Sequence, residues 1–167
     1  MSELVDALAG LAEAGVADWP GLPTGCSPDE LAPAITDRDP SPGMADLGLR
    51  KAFFRSGVLA TSGAPVQVWT TTDEREVLMV AVAGPSVVPT GRATLERLGE
   101  PDARLDNARG TVPLEACEWV YGARGLAVFV DPDTDAVWRL TLFRPCTLDE
   151  YEDEFRVVLR ERRFPLH

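Results

Sequence analysis

Four shortages narrow the field before any pattern is read. Histidine is almost missing, its one copy being the last residue, His167. A serine or cysteine nucleophile needs a neighbouring base, and a terminal imidazole is poorly held for that work. Cysteine is scarce: Cys26, Cys117 and Cys146 are odd in number and widely spaced, so they make neither a disulfide framework nor a zinc pattern. Lysine is limited to Lys51, and 27 acidic side chains face 16 basic ones for a formal net charge of −11. Such a chain repels phosphate backbones and anionic lipid, which argues against nucleic acid and membrane surfaces as partners. It suits a protein partner of basic character, steered by long-range attraction. No apolar run approaches the roughly 18 residues of a spanning helix. Glu3 and Asp6 also stand where a secretion signal carries positive charge, and the expected location is therefore the cytoplasm.

What is present is a faint internal echo. Residues 66–85 align without a gap on residues 126–145. Val68, Asp73, Val77 and Pro85 match Val128, Asp133, Val137 and Pro145, and Trp69/Phe129, Val80/Leu140 and Val82/Leu142 are conservative pairs. The shared positions are those of a strand–turn–strand core. The expected fold is α+β, with two related halves, each a β-hairpin-containing antiparallel sheet with packed short helices. The first unit is expected over 20–88 and the second over 89–167, after an N-terminal helix within 1–19, all in one compact domain.

Local patterns fill in the elements. Leu4, Val5, Leu8 and Leu11 recur at helical spacing, predicting a helix over 3–14. Ser27-Pro28-Asp29-Glu30 and Thr147-Leu148-Asp149-Glu150 are capping-box starts. The second of these predicts a helix to about residue 163, with Tyr151, Phe155, Val158 and Leu159 on one face. Residues 37–46 read as a surface loop and residues 47–58 as a helix burying Leu49, Phe53 and Phe54, closed at Gly57. Strands are predicted over 66–70, 77–83, 112–121, 126–130 and 136–143, with a short helix over 94–98.

Groups with chemical potential are each better explained by structure. Cys26 and Cys146 precede helix N-caps, where a thiol can be acidified; with no base nearby, packing against Leu31 and Tyr151 as a hydrophobic staple is the stronger reading. Cys117 reads as a small strand hydrophobe. Asp131, Asp133 and Asp135 alternate as calcium ligands do, but Ala136 and Leu142 occupy the positions that need glycine and a bidentate glutamate. No metal or cofactor is expected. One constellation is left: Trp69, Trp119, Tyr121, Phe129 and Trp138 on predicted strands, framed by Arg124 and Arg139. Aromatics on strands are core by default; exposed on one face they make a binding platform.

A helix ending in Leu98-Gly99-Glu100-Pro101, a strand with Trp119-Val120-Tyr121 and a following hairpin resemble the small α/β modules of the BamE type. Two such modules in one chain are similar to the β-lactamase-inhibitory-protein fold, over residues 20–145. The resemblance implies a concave sheet surface that grips another protein, and no particular functional residue.

The expected function is a non-enzymatic protein-binding module (inhibitor, immunity protein or adaptor) gripping its partner through a sheet face. Two alternatives stand beside it. One is a small-molecule binder or enzyme with a pocket between the halves, using Tyr121, Arg124, Arg139 and the Asp149/Glu150 pair. The other is a structural homo-oligomer whose copies cover an exposed sheet edge.

Overall fold

The computed structural model describes residues 3–11, 15–106 and 117–158. In chain order it contains α1 (Glu3–Gly10), α2 (Pro28–Leu31), β1 (Ile35–Thr36), β2 (Gly43–Leu47), β3 (Arg50–Leu59), β4 (Pro65–Thr70) and β5 (Val77–Ala83). Then follow α3 (Gly91–Leu98), β6 (Ala103–Asp106), β7 (Cys117–Tyr121), β8 (Leu126–Val130), β9 (Val137–Leu142), α4 (Leu148–Glu154) and β10 (Val157–Val158). The strands form one sheet in the order β10-β2-β3-β4-β5-β9-β8-β7-β6, with β1 added beside β3. Every neighbouring pair is antiparallel, so the class is α+β.

The two echoing segments are the hairpins β4–β5 and β8–β9, and they pair in the same way. Val66 faces Val82, Val68 faces Val80, and the ladder slips between Trp69 and Thr70. Sixty residues later Leu126 faces Leu142, Val128 faces Leu140, and the slip falls between Phe129 and Val130. Their last strands then pair with each other: Val80 with Leu142, Ala81 with Thr141, Val82 with Leu140. In pairing register a local twofold at the Ala81–Thr141 pair therefore exchanges the hairpins, since Val80–Leu142 becomes Val82–Leu140 when each residue is replaced by its sixty-shifted equivalent.

The sheet has one face covered by several helices and one covered in part. Val66, Val68, Val80, Val82, Leu126, Val128, Leu140 and Leu142 point to the first face, where α1, α2 and α3 bring Leu8, Leu31 and Leu98. Trp69, Leu78, Met79, Val120, Ala127 and Phe143 belong to the second, beneath Tyr151 of α4 and Phe155. The second face is concave. The backbone carbonyl of Arg156 accepts from the amide of Gly48 beside β2, while its guanidinium reaches Glu118 on β7 at 3.0 Å. Six strand spacings separate β2 from β7, about 29 Å across a flat sheet. One arginine spans them only because the sheet curls around α4.

Three expectations are corrected here. Residues 47–58 form most of the β2–β3 hairpin, not a helix: Ala52 and Phe54 alternate onto the second core, and Gly48 makes the turn at φ +61°. The strand β2 takes over the end of the loop expected at 37–46. The last helix stops at Glu154, and β-branched Val157 and Val158 pair with Leu47 and Asp46 at the sheet edge instead of extending it. α1 matches its expectation up to Gly10; the parts of the predicted segments that fall on 12–14, 112–116 and 159–163 lie outside the described residues.

Gly48 and Gly63 both have positive φ, yet their surroundings differ. A Cβ at Gly48 would run into the backbone carbonyl of Asp153, whereas none of the described atoms lies within 4 Å of one at Gly63. Gly63→Ala is expected to cost about 1 kcal/mol, the backbone term alone. Gly48→Ala is expected to cost about 3 kcal/mol or more by separating the β2–β3 turn from the end of α4. Urea unfolding of both variants measures the difference, and equal losses would contradict the close approach.

Candidate functional site

Alternation along the strands and the slip in each hairpin decide what the second face presents. One row crosses the axis as Val120, Ala127, Thr141, Ala81, Gln67 and Ser56, each facing the next. Val120 and Ala127 are buried in the cluster beneath α4, whereas Gln67 is half-buried and Ser56 exposed. Around that uncovered end lies an open cavity of about 260 Å³, lined by Ser56, Gln67, Ala81, Ala83, Trp138 and Arg139 together with Gly57, Pro65, Val66 and Val82. Trp138 is the extra residue of the second slip and is 45% exposed. Its indole nitrogen donates to Asp131 at 3.4 Å, which leans the ring toward the acidic hairpin turn. Arg139 is the one charged residue among the described residues of the lining; it lies over Phe129, with its guanidinium carbon 5.9 Å from the ring centre.

Beside this cavity a buried ionic group ties α4 to the sheet. Glu118 is 1% exposed and accepts hydrogen bonds from the Tyr151 hydroxyl and, at 3.0 Å, from Arg156 Nε. Burial pushes the Glu118 carboxyl above its ordinary value, against the pull of Tyr151, Arg156 and Arg139. Burial likewise brings the Arg139 guanidinium down to about 10, opposed by Tyr151 and Glu118. The Tyr151 phenol is raised well above its usual range, again by burial first and then by Glu118. The cluster thus fixes α4 against the sheet through Tyr151 and Arg156.

The seven residues proposed from sequence divide between the faces. Trp119 and Tyr121 are buried in the first-face core, with the Tyr121 hydroxyl donating to the Gly99 carbonyl at 2.9 Å. Trp69 is buried on the second face against Phe54, ring centres 4.7 Å apart, and Phe129 is buried under Arg139. Arg124 sits at the surface, its Nη1 3.5 Å from the Ala17 carbonyl. The expected aromatic row is thus core at four of its five positions, and only Trp138 and Arg139 of the seven line the cavity. The residues of the enzyme alternative do not converge either. Tyr121 is on the first face, while Glu150 caps the start of α4 and pairs with Arg144 at 3.0 Å.

Cys26 is buried in the core that also holds Leu31, and Cys146 packs against the cluster that also holds Tyr151. Burial drives each thiol up to about 11, opposite to activation. Asp131 accepts from the amides of Asp133 and Thr134, and Asp135 accepts from the amide of Arg92 at 3.0 Å, so these two carboxylates are engaged by backbone donors. Among the described residues no group of three or more His, Cys, Asp or Glu side chains is arranged to hold a metal ion. No helix among them is long and apolar enough to cross a membrane. Sequence reasoning missed Glu118, Arg156, Ser56 and Gln67. Glu118 had a signal, a charge wedged between Cys117 and Trp119 in an apolar strand; the other three had none.

No protein-family model matches the sequence, and no curated protein is significantly similar to it. The fold is similar to the crystal structure of a DUF4309 family protein (YjgB) from Bacillus subtilis subsp. subtilis str. 168. That likeness has a TM-score of 0.48 and 15% sequence identity, and covers 85% of this chain and 96% of that one.

Two outcomes are expected from the titrating groups. A carboxyl whose folded value is raised contributes stability fully below its ordinary 4.5 and loses it as pH climbs through the folded value. The stability of the native chain relative to Glu118→Gln is therefore expected to be greatest below about pH 4.5 and to shrink as pH rises through the raised folded value; a difference that grows with pH contradicts the assignment. For the thiols, roughly a thousandth is ionised at pH 8. Iodoacetamide is expected to label Cys26 and Cys146 in the folded chain at least tenfold more slowly than in urea.

Proposed function

We propose that the chain is a non-enzymatic protein-binding module, an inhibitor, immunity protein or adaptor, that holds its partner at the uncovered end of the concave sheet face. The observation that carries this reading is Trp138. Of the four tryptophans, Trp19, Trp69 and Trp119 are buried at 7% exposure or less, while Trp138 stands 45% exposed at the rim of the cavity. A large amphipathic ring at the edge of an apolar hollow, with an arginine beside it, has the composition of an interface hot spot. The twofold relation of the hairpins supports reading the chain as two related units, of 20–88 and 89–167, in the manner of the β-lactamase-inhibitory and BamE-like modules. The net charge of −11 supports a partner that is basic overall, drawn in by long-range attraction. The free thiols of Cys26 and Cys146 suit the cytoplasm.

A second reading has one observation in its favour: the same cavity is walled by β3, β4 and β5 on one side and β9 on the other, between the two halves. A small-molecule ligand there would raise the melting temperature of the native chain and not that of a variant with the cavity filled.

The test compares three immobilised baits in native extract at low and high salt: the unaltered chain, Trp138→Ala and Ser56→Trp. Both changes are at exposed positions and are expected to alter stability by less than about 1 kcal/mol. A protein retained by the unaltered chain, released by salt and lost from both variants is the expected result. Retention of the same proteins by all three baits, or of none by the unaltered one, overturns the reading.

A further inference from the structure

The local twofold axis specifies the kind of segment the cavity fits. Under it Ser56, Gln67, Ala81 and Ala83 correspond to Val120, Ala127, Thr141 and Phe143, and Trp138 and Arg139 correspond to Leu78 and Met79. Five of those six counterparts, all but Thr141, lie in the cluster covered by Tyr151 and Phe155. Phe143 meets both rings, tilted against Tyr151 at 4.9 Å and stacked on Phe155 at 5.2 Å. Among the described residues the chain thus holds two equivalent seats on one concave face, one filled by its own α4 and one open. The chain's own helix in the corresponding place is α3, and it does not fill the second seat, because Leu98 and Thr94 turn it onto the first face. The open seat is the more polar of the two, with Ser56 and Gln67 in place of Val120 and Ala127, and among its described lining residues one is charged, Arg139 in place of Met79, in a chain that is otherwise strongly acidic.

We infer that the open seat receives a short amphipathic helix of the partner protein, carrying aromatic anchors four residues apart, as Tyr151 and Phe155 are, and a carboxylate placed to meet Arg139. This deepens the protein-binding reading and rests on it. The partner stays basic overall, because the steering charge and the single inward carboxylate act at different ranges: one extends over a Debye length, about 8 Å, and the other is a contact. Helix-in-groove docking of this kind reads anchors at i and i+4, the spacing at which side chains share a helix face.

The test uses the full chain and a fluorescein-labelled peptide with the sequence of residues 146–156, altered by Cys146→Ser, Asp149→Lys, Glu152→Lys and Asp153→Lys. These changes keep the inward set Leu148, Glu150, Tyr151, Glu154 and Phe155 and make the outer face basic. Fluorescence anisotropy is expected to show saturable one-to-one binding below about 100 µM. Ser56→Trp or Trp138→Ala in the protein is expected to weaken it at least tenfold, and Glu150→Gln with Glu154→Gln in the peptide at least threefold. No saturation by about 1 mM overturns the inference. So does binding that neither protein variant weakens, since the peptide would then be displacing α4 from the filled seat. Self-association of the chain that Ser56→Trp abolishes would also overturn it, by giving the seat to a second copy. A peptide that fails while the bait experiment still captures a protein dependent on Trp138 removes the helix and leaves the binding module. Failure of the bait experiment removes both.

Discussion

Where β5 meets β9, two strands that each end a hairpin run antiparallel with Ala81 facing Thr141, and the flanking structure inherits that geometry. The pairing joins the β4–β5 and β8–β9 hairpins into a continuous ladder, so neither hairpin exposes its inner edge. It also sets the parity of both halves at once. With Val80 and Val82 opposite Leu142 and Leu140, the valines and leucines of both hairpins fall on one face and are closed off by α1, α2 and α3. The alternate residues are sent to the other face, and the concavity there follows from the twist accumulated across the sheet.

That second face is where the symmetry is broken. α4 fills one end with Tyr151 and Phe155, and Arg144 holds it by pairing with Glu150 and Glu154. Its cost is polar: Tyr151 and Arg156 satisfy Glu118, a carboxylate removed from water, with Arg139 close enough to lower the penalty. A buried charge of this kind is weak evidence for stability, and losing either partner is expensive. Its effect here is placement. It fixes how far α4 reaches across the sheet, and so where the covered end stops and the open end with Trp138 begins.

The hairpins were legible in the sequence because short runs rich in valine, leucine and aromatics flank polar turns, a local signal that tertiary packing only reinforced. The β2–β3 hairpin was not. Leu49, Phe53 and Phe54 fall at helical spacing, and only pairing with β4 reveals that Ala52 and Phe54 form one row of a strand. The end of α4 was misjudged for a related reason, since Val157 and Val158 find an edge strand that lies more than a hundred residues earlier in the chain. The aromatic set was identified by residue type but not by face. Parity buries Trp69, Trp119, Tyr121 and Phe129, and the slip in the second ladder turns out Trp138. A one-residue slip leaves no compositional mark, which is why the exposed tryptophan could not be singled out from its neighbours.

The four tryptophans report separately on the two faces, and their indole N–H signals in a heteronuclear NMR spectrum test the central claim most directly. Trp19 and Trp119 lie in the first-face core, Trp69 under the covered end of the second face, and Trp138 at its open end. On saturation with the captured partner, the Trp138 signal is expected to shift or broaden while those of Trp19 and Trp119 stay in place. Movement of Trp19 and Trp119 with Trp138 unchanged would put the partner on the helical side of the sheet and contradict the account.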